Sequence, residues 1–187
     1  MTAGAGIKAR NDVSAEGATT QPTPEERLRR QQFLHGMSHA ASTVNVVTTD
    51  GVAGRHGVTV SAMVSVSADG PQPTLLVCIH NLSPVAAAVL QNGVFCVNTL
   101  GADEEKLADL FAGRSGVHLE ERFSVGEWIT LKTGSPVLAS AVIAFDCRTI
   151  EIKAVASHNV LFGAVEAVRL GPAGPALVYH DRLYKKV

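Results

Sequence analysis

Aromatic residues make up only 5% of this 187-residue chain and charged residues 18%, with a formal net charge of -1. A chain so close to neutrality has no electrostatic footprint for a polyanion, so nucleic acid and anionic membrane surfaces are not expected partners. Cysteine is scarce as well. Cys78, Cys96 and Cys147 form no CxxC pair and lie among aliphatic residues, as small buried hydrophobes do in a reducing compartment. No apolar run approaches the roughly 18 residues of a membrane-spanning helix, and the N-terminal segment lacks the basic start and apolar stretch of a secretory leader. The expectation is a cytoplasmic protein with no membrane association.

Familiar catalytic signatures are missing too. The only GxG, Gly4-Ala5-Gly6, follows no strand and lacks the third glycine of a dinucleotide-binding turn, and there is no Walker loop. His35 and His39 stand four apart on a predicted helix, but no HExxH accompanies them and no third ligand lies close in sequence, so no metal is expected. Ser38, in Gly36-Met37-Ser38-His39-Ala40, falls inside that helix rather than on the strand-to-helix turn of a nucleophile elbow. Acidic residues are too thinly spread over the predicted strands for a pair of catalytic carboxylates.

What is present is a core-forming chain, 46% hydrophobic and long enough for one domain. Residues 1–22 read as a disordered tail and 23–187 as the folded domain, because the first segment has few large aliphatic side chains to offset ordering entropy. Thr23-Pro24-Glu25-Glu26 has the form of a capping box and opens a helix to about Ala41. Its Phe33, Met37, Ala40 and Ala41 are expected to dock on the core. A strand over 44–49 ends at the turn dipeptide Asp50-Gly51. Residues 58–67 read as a single alternating strand, with Val58, Val60, Ala62, Val64 and Val66 on one face and Thr59, Ser61, Met63, Ser65 and Ser67 on the other.

Leu75-Leu76-Val77-Cys78-Ile79 is a continuous apolar run, expected to be buried on both faces. Ser83-Pro84 then caps a helix that stops near Gly93, followed by a strand at 94–98 and a third helix from about Asp103 to Ala112. The stretch 114–138 reads as mostly irregular, and strands return at about 139–155, 160–168 and 176–180. Strands in succession with helices inserted singly favour a mainly β fold with α additions, an antiparallel barrel rather than a doubly wound sheet. No Lys or Arg occurs between His56 and Glu105. A phosphate bound there must therefore be met by hydroxyls, backbone N–H groups and the helix start at Ser83. The same residues also read as the wet face of a strand and an ordinary helix cap.

Several segments, in order, carry a family resemblance: Val46-Val47-Thr48-Thr49, Gly57-Val58-Thr59, Ser65-Val66-Ser67, and Leu75 to Ile79 with Asn81 and Ser83. Further on come Cys96-Val97-Asn98-Thr99-Leu100, Phe111-Ala112-Gly113, Phe145-Asp146-Cys147, Ser157-His158-Asn159 and Leu177-Val178-Tyr179 before Tyr184. Over about 31–187 the chain resembles the short-chain flavin reductases, the reductase components of two-component flavin-dependent monooxygenases. It lies nearest the branches serving 4-hydroxyphenylacetate oxygenation and pyrimidine utilisation.

The resemblance implies a homodimeric split β-barrel of the FMN-binding, antiparallel Greek-key type. It implies reduction of FMN or FAD by NADH or NADPH, with reduced flavin diffusing to a separate monooxygenase. Carried over by position, Thr59, Ser61, Ala62, Ser65, Val66, Ser67, Cys78, Asn81, Ser83 and Phe111 would line the flavin, while His158 and Tyr184 would meet the nicotinamide. The loop Asp69-Gly70-Pro71-Gln72-Pro73 is longer than the compact turn usual in the family. Alternatives in keeping with the same residues are a reductase that keeps its flavin and passes electrons to a corrin, iron or quinone, and a non-catalytic flavin- or haem-binding module. From the residues alone His158 reads equally as a structural histidine, and Trp128 and Phe111 as packing.

Overall fold

The computed structural model describes residues 21–187, so the tail expected over 1–22 lies, but for Gln21 and Pro22, outside the described residues. The chain divides into two units, 1–37 and 38–187. In the first, α1 (Pro24–Ser38) begins as its sequence requires. The Glu26 carboxylate accepts from Thr23 N–H at 2.7 Å, and Glu26 N–H donates back to the Thr23 hydroxyl at 3.2 Å. No residue of α1 is buried, and Phe33 is 65% exposed. Leu28, Phe33, Leu34 and Met37 are too few among charged and amide neighbours to form a continuous apolar stripe.

The second unit is built on a seven-stranded sheet in the order β3-β2-β6-β9-β10-β5-β4, every ladder antiparallel. Its strands are β2 (Asn45–Thr49), β3 (His56–Val60), β4 (Met63–Ser67), β5 (Thr74–His80), β6 (Val94–Thr99), β9 (Ile143–Val155) and β10 (His158–Leu170). A three-stranded sheet joins β1 (Ser42–Thr43), β11 (Leu177–His180) and β12 (Leu183–Lys186), and β7 (Trp128–Thr130) pairs with β8 (Pro136–Leu138). Helices α2 (Pro84–Asn92) and α3 (Glu105–Phe111) complete the mainly β architecture with α additions. No helix among the described residues is long and apolar enough to cross a membrane.

β2 is the wall between two cores. All five of its residues are buried, with Val47 joining Val77, Val85, Phe95 and Leu161 on one side and Val46 joining Leu100, Leu107, Phe111 and Leu138 on the other. Each such side chain contributes roughly 1.5–3 kcal/mol when fully removed from water. Asn98, enclosed by this packing, has its amide satisfied. Asn98 donates to the Val46 carbonyl at 3.1 Å and accepts from Leu138 N–H at 2.8 Å, which moors β8 to the large sheet.

Two expectations are corrected here. The strand anticipated over 58–67 breaks at Ser61-Ala62 into β3 and β4, which form the two ends of the seven-stranded sheet. Alternation slips by one across the break. Val58, Val60 and then Met63 meet the core, whereas Val64 and Val66 are 57% and 48% exposed. A bulge between Ser65 and Ser67 leaves Val66 as the unpaired extra residue. β5, expected to be buried on both faces, instead alternates: Leu75, Val77 and Ile79 are buried, while Leu76 and Cys78 are half-buried. In an antiparallel sheet only one face of a strand need meet the core.

Candidate functional site

The chemistry-bearing residues gather where β5 turns into α2. His80, the last residue of β5, stands opposite His158, the first of β10. Their rings meet edge to face with centroids 5.0 Å apart. The turn after His80 is tightly bonded: Leu82 N–H donates to His80 Nδ1 at 3.1 Å and Ser83 N–H to the His80 carbonyl at 2.9 Å. Asn81 N–H donates to the Ser157 carbonyl at 2.9 Å, while Ser157 Oγ lies 3.1 Å from His158 Nδ1. The β9–β10 turn and the β5–α2 turn are therefore laced together.

Ser83 is the N-cap of α2, with extended backbone and Pro84 opening the helix, as the sequence suggests. Its hydroxyl makes no capping bond. The helix start thus offers a side-chain donor and the positive end of the peptide dipole to an anion. Beside it, the Ala62 carbonyl accepts from Cys78 N–H at 3.2 Å, bringing the 61–67 segment against Cys78. Ser61, Ala62 and Ser65 are exposed along this edge, and the half-buried Ser67 hydroxyl accepts from Asp69 N–H at 3.0 Å. Partial burial pushes the Cys78 thiol up from its ordinary value, so it is neutral and no thiolate joins the cluster.

Three of the expected site residues stand apart from this group. Thr59 Oγ1 donates to the Ala108 carbonyl at 2.7 Å, so its hydroxyl braces α3. Phe111 is 1% exposed, enclosed by Phe123 and Trp128 with ring centroids 5.2 and 5.6 Å away. It is a core residue, packed in an aromatic cluster apart from the exposed hydroxyls. Trp128 likewise packs, its indole N–H donating to the Val125 carbonyl at 2.9 Å. Tyr184 lies on β12, where its hydroxyl donates to Asp109 at 3.0 Å. Burial, then that bond, pushes its phenol up to about 12. Among the described residues no hydrogen bond or ring contact joins Tyr184 to His158.

The residue that sequence reasoning passed over is His80. It reads there as the end of a strand, and nothing local in the sequence announces that His158, far along the chain, will face it.

Fold proximity also gathers His39, His180 and Asp181, whose ligand-type atoms lie within 4.8 Å of one another, where sequence spacing placed no third partner near His39. Existing contacts argue against a cation there. His39 is paired with Asp181 at 3.1 Å, and the Lys185 ammonium lies 2.8 Å from His180 Nδ1, putting a positive charge where a metal would need none. An open recess of about 280 Å³ lined by Asp103, Glu105, Lys106 and Lys186 includes none of the expected site residues.

The domain family described as "Flavin reductase like domain" matches residues 37–187. The chain belongs to this family. It is 51% identical over 153 residues to the FMN reductase (NADH) RutF 1 of Methylorubrum extorquens, an alignment covering 82% of this chain and 74% of that one. Among solved structures, a protein of Haemophilus somnus 129pt assigned as a flavin reductase is 44% identical, with a TM-score of 0.78 and coverage of 84% of this chain and 98% of the other. BorF, the flavin reductase component of a bacterial two-component tryptophan halogenase, is 28% identical with a TM-score of 0.75, covering 84% and 98%. The donor set of the β4 edge and the α2 start is compatible with a flavin. Exposed hydroxyls at Ser61 and Ser65, an uncommitted Ser83 hydroxyl and a helix N-terminus supply neutral donors for ring carbonyls, a polyol chain and a phosphate.

Proposed function

We propose that this chain is an NADH-dependent FMN reductase that supplies reduced flavin to a separate monooxygenase. The observation that carries the reading is the uncharged edge running from Ser61 and Ser65 past Cys78 to the α2 start, with His158 beside it. The FMN reductase (NADH) relatives support FMN and NADH, and BorF supports service to a second enzyme. FAD and NADPH are the competing pair in the assay below.

In this reading Ser61, Ala62, Ser65, Val66 and Ser67 lie along the flavin ring and its polyol chain, and Cys78, Asn81 and Ser83 run from the polyol to the phosphate. Thr59 contributes through the backbone, since its hydroxyl holds Ala108. His158 meets the nicotinamide. When both groups are bound, the nicotinamide supplies a hydride at C4 that the flavin takes at N5, chemistry that the cofactors carry themselves. The protein's part is to orient, to exclude water and to stabilise charge on the ring with neutral donors that need no desolvated counter-ion.

A homodimeric split barrel belongs to the same proposal. β3 and β4, the ends of the large sheet, are joined by only Ser61 and Ala62, which supports closure of the sheet on itself. Among the described residues no hydrogen bond or ring contact joins Tyr184 to His158, and in this reading Tyr184 reaches the nicotinamide from a second copy. The three free cysteines fit a reducing, cytoplasmic setting.

Steady-state assays of the purified chain with NADH or NADPH and FMN or FAD test the function. Flavin-dependent loss of the nicotinamide absorbance, greatest for NADH with FMN, is the expected result. Absence of turnover in all four combinations rejects the proposal.

A further inference from the structure

We propose that His80 is the positioning residue of this site, one side chain that sets both the ring of His158 and the turn presenting the α2 start. The inference rests on the flavin reductase reading above and concerns how its two ends are joined. Two faces of the imidazole are in use. Nδ1 accepts Leu82 N–H, which places the proton of the neutral ring on Nε2 and fixes the ring plane relative to the turn. The ring itself meets His158 edge to face, in direct register across the β5–β10 ladder.

The backbone makes these two contacts one unit. Ser83 N–H closes on the His80 carbonyl, so a change in the turn moves the cap residue of α2. Asn81 N–H closes on the Ser157 carbonyl, and the Ser157 hydroxyl lies on His158 Nδ1, so the same turn also bears on the imidazole assigned to the nicotinamide. An acceptor two residues before Leu82 is all that the turn requires, and an asparagine side chain supplies that as an Asx turn. The ring supplies something further, a flat partner for His158.

Three substitutions separate the two duties. His80→Asn retains an acceptor for Leu82 N–H and loses the ring. Its KM for NADH should rise about three- to tenfold, the usual range for an aromatic pair, with kcat and the FMN dissociation constant within about twofold of the parent. His80→Phe retains a ring and loses the acceptor. FMN binding, followed by quenching of flavin fluorescence without any turnover, should weaken about fivefold, as for one lost hydrogen bond, while KM for NADH changes less than in His80→Asn. His80→Ala should show both defects. A further readout needs no activity: the ring-proton resonances of His158 should shift in His80→Asn, because the neighbouring ring current is gone.

Parental constants in the Asn and Phe variants, or constants that move together in both, would overturn the assignment. So would unshifted His158 resonances in His80→Asn. A parent chain that fails to turn over NADH with FMN sinks the functional reading instead, and the resonance measurement still decides whether His80 sets His158.

Discussion

The hydroxyl of Thr59 donates to the carbonyl of Ala108 at 2.7 Å, joining the sheet's first edge to the middle of α3. The same carbonyl also accepts Ala112 N–H at 2.9 Å, so it keeps a partner if the hydroxyl is removed. Thr59→Val should therefore cost only about 1 kcal/mol of stability, the net value of one such bond. FMN affinity should stay within about twofold of the parent, near 0.4 kcal/mol. Urea unfolding and flavin fluorescence titration read the two effects, and a large loss of FMN affinity would make Thr59 a direct ligand.

Ser83 offers a test in which stability and binding move in opposite directions. An aspartate is as good a helix cap as serine, so Ser83→Asp should leave the melting temperature unchanged or raised. The same carboxylate repels a phosphate at the α2 start, and FMN binding should weaken at least tenfold, about 1.4 kcal/mol. Unchanged affinity would move the phosphate elsewhere.

Gly163 on β10 is held small by its neighbours. A Cβ there would lie 2.5 Å from Phe95 Cζ and 2.9 Å from Cys147 Cβ, and both residues are fully buried. Gly163→Ala should destabilise the fold by about 1–3 kcal/mol, the usual cost of overpacking. A urea midpoint within error of the parent would show that Phe95 can move aside.

Tyr184 predicts an alkaline weakness. Its phenol is held up to about 12 by burial and by the bond to Asp109, against an ordinary value near 10. Both folded and unfolded chains keep the proton below pH 10. Between 10 and 12 the unfolded chain loses it first, binds fewer protons than the folded one, and stability falls as pH rises. Urea midpoints taken across that interval should fall less steeply in Tyr184→Phe than in the parent, and equal slopes would assign the effect to another group.

Local signals in the sequence were strong where the physics is local. Thr23 with Glu26, and Ser83-Pro84 through Gly93, each announce a helix end by groups three to ten residues apart, and both ends stand where expected. The slip at Ser61-Ala62 is different. Valine alternates with serine or threonine on both sides of it, with Ala62 and Met63 between, and the pairing of β3 with β2 and of β4 with β5 decides that the core changes phase there. The apolar run of β5 shows the same limit, since hydrophobicity alone cannot tell a strand covered on both faces from one covered on a single face. β12, short and carrying Lys185 and Lys186, gives almost no signal, and its place is set by its ladder with β11. Most of the site's polar residues were legible as types, but the facing of His80 and His158 is a product of register between strands distant in sequence.

No lysine or arginine lies anywhere from Gly57 to Glu104, the span that forms the β4 edge and the α2 start. A hold made of dipoles and hydroxyls releases no condensed ions when an anion arrives, and its field is too short-ranged for a Debye atmosphere to weaken much. If FMN seats its phosphate there as proposed, such a grip would neither draw its cargo from afar nor tighten in dilute buffer, and the ease of letting go would be built into the walls themselves.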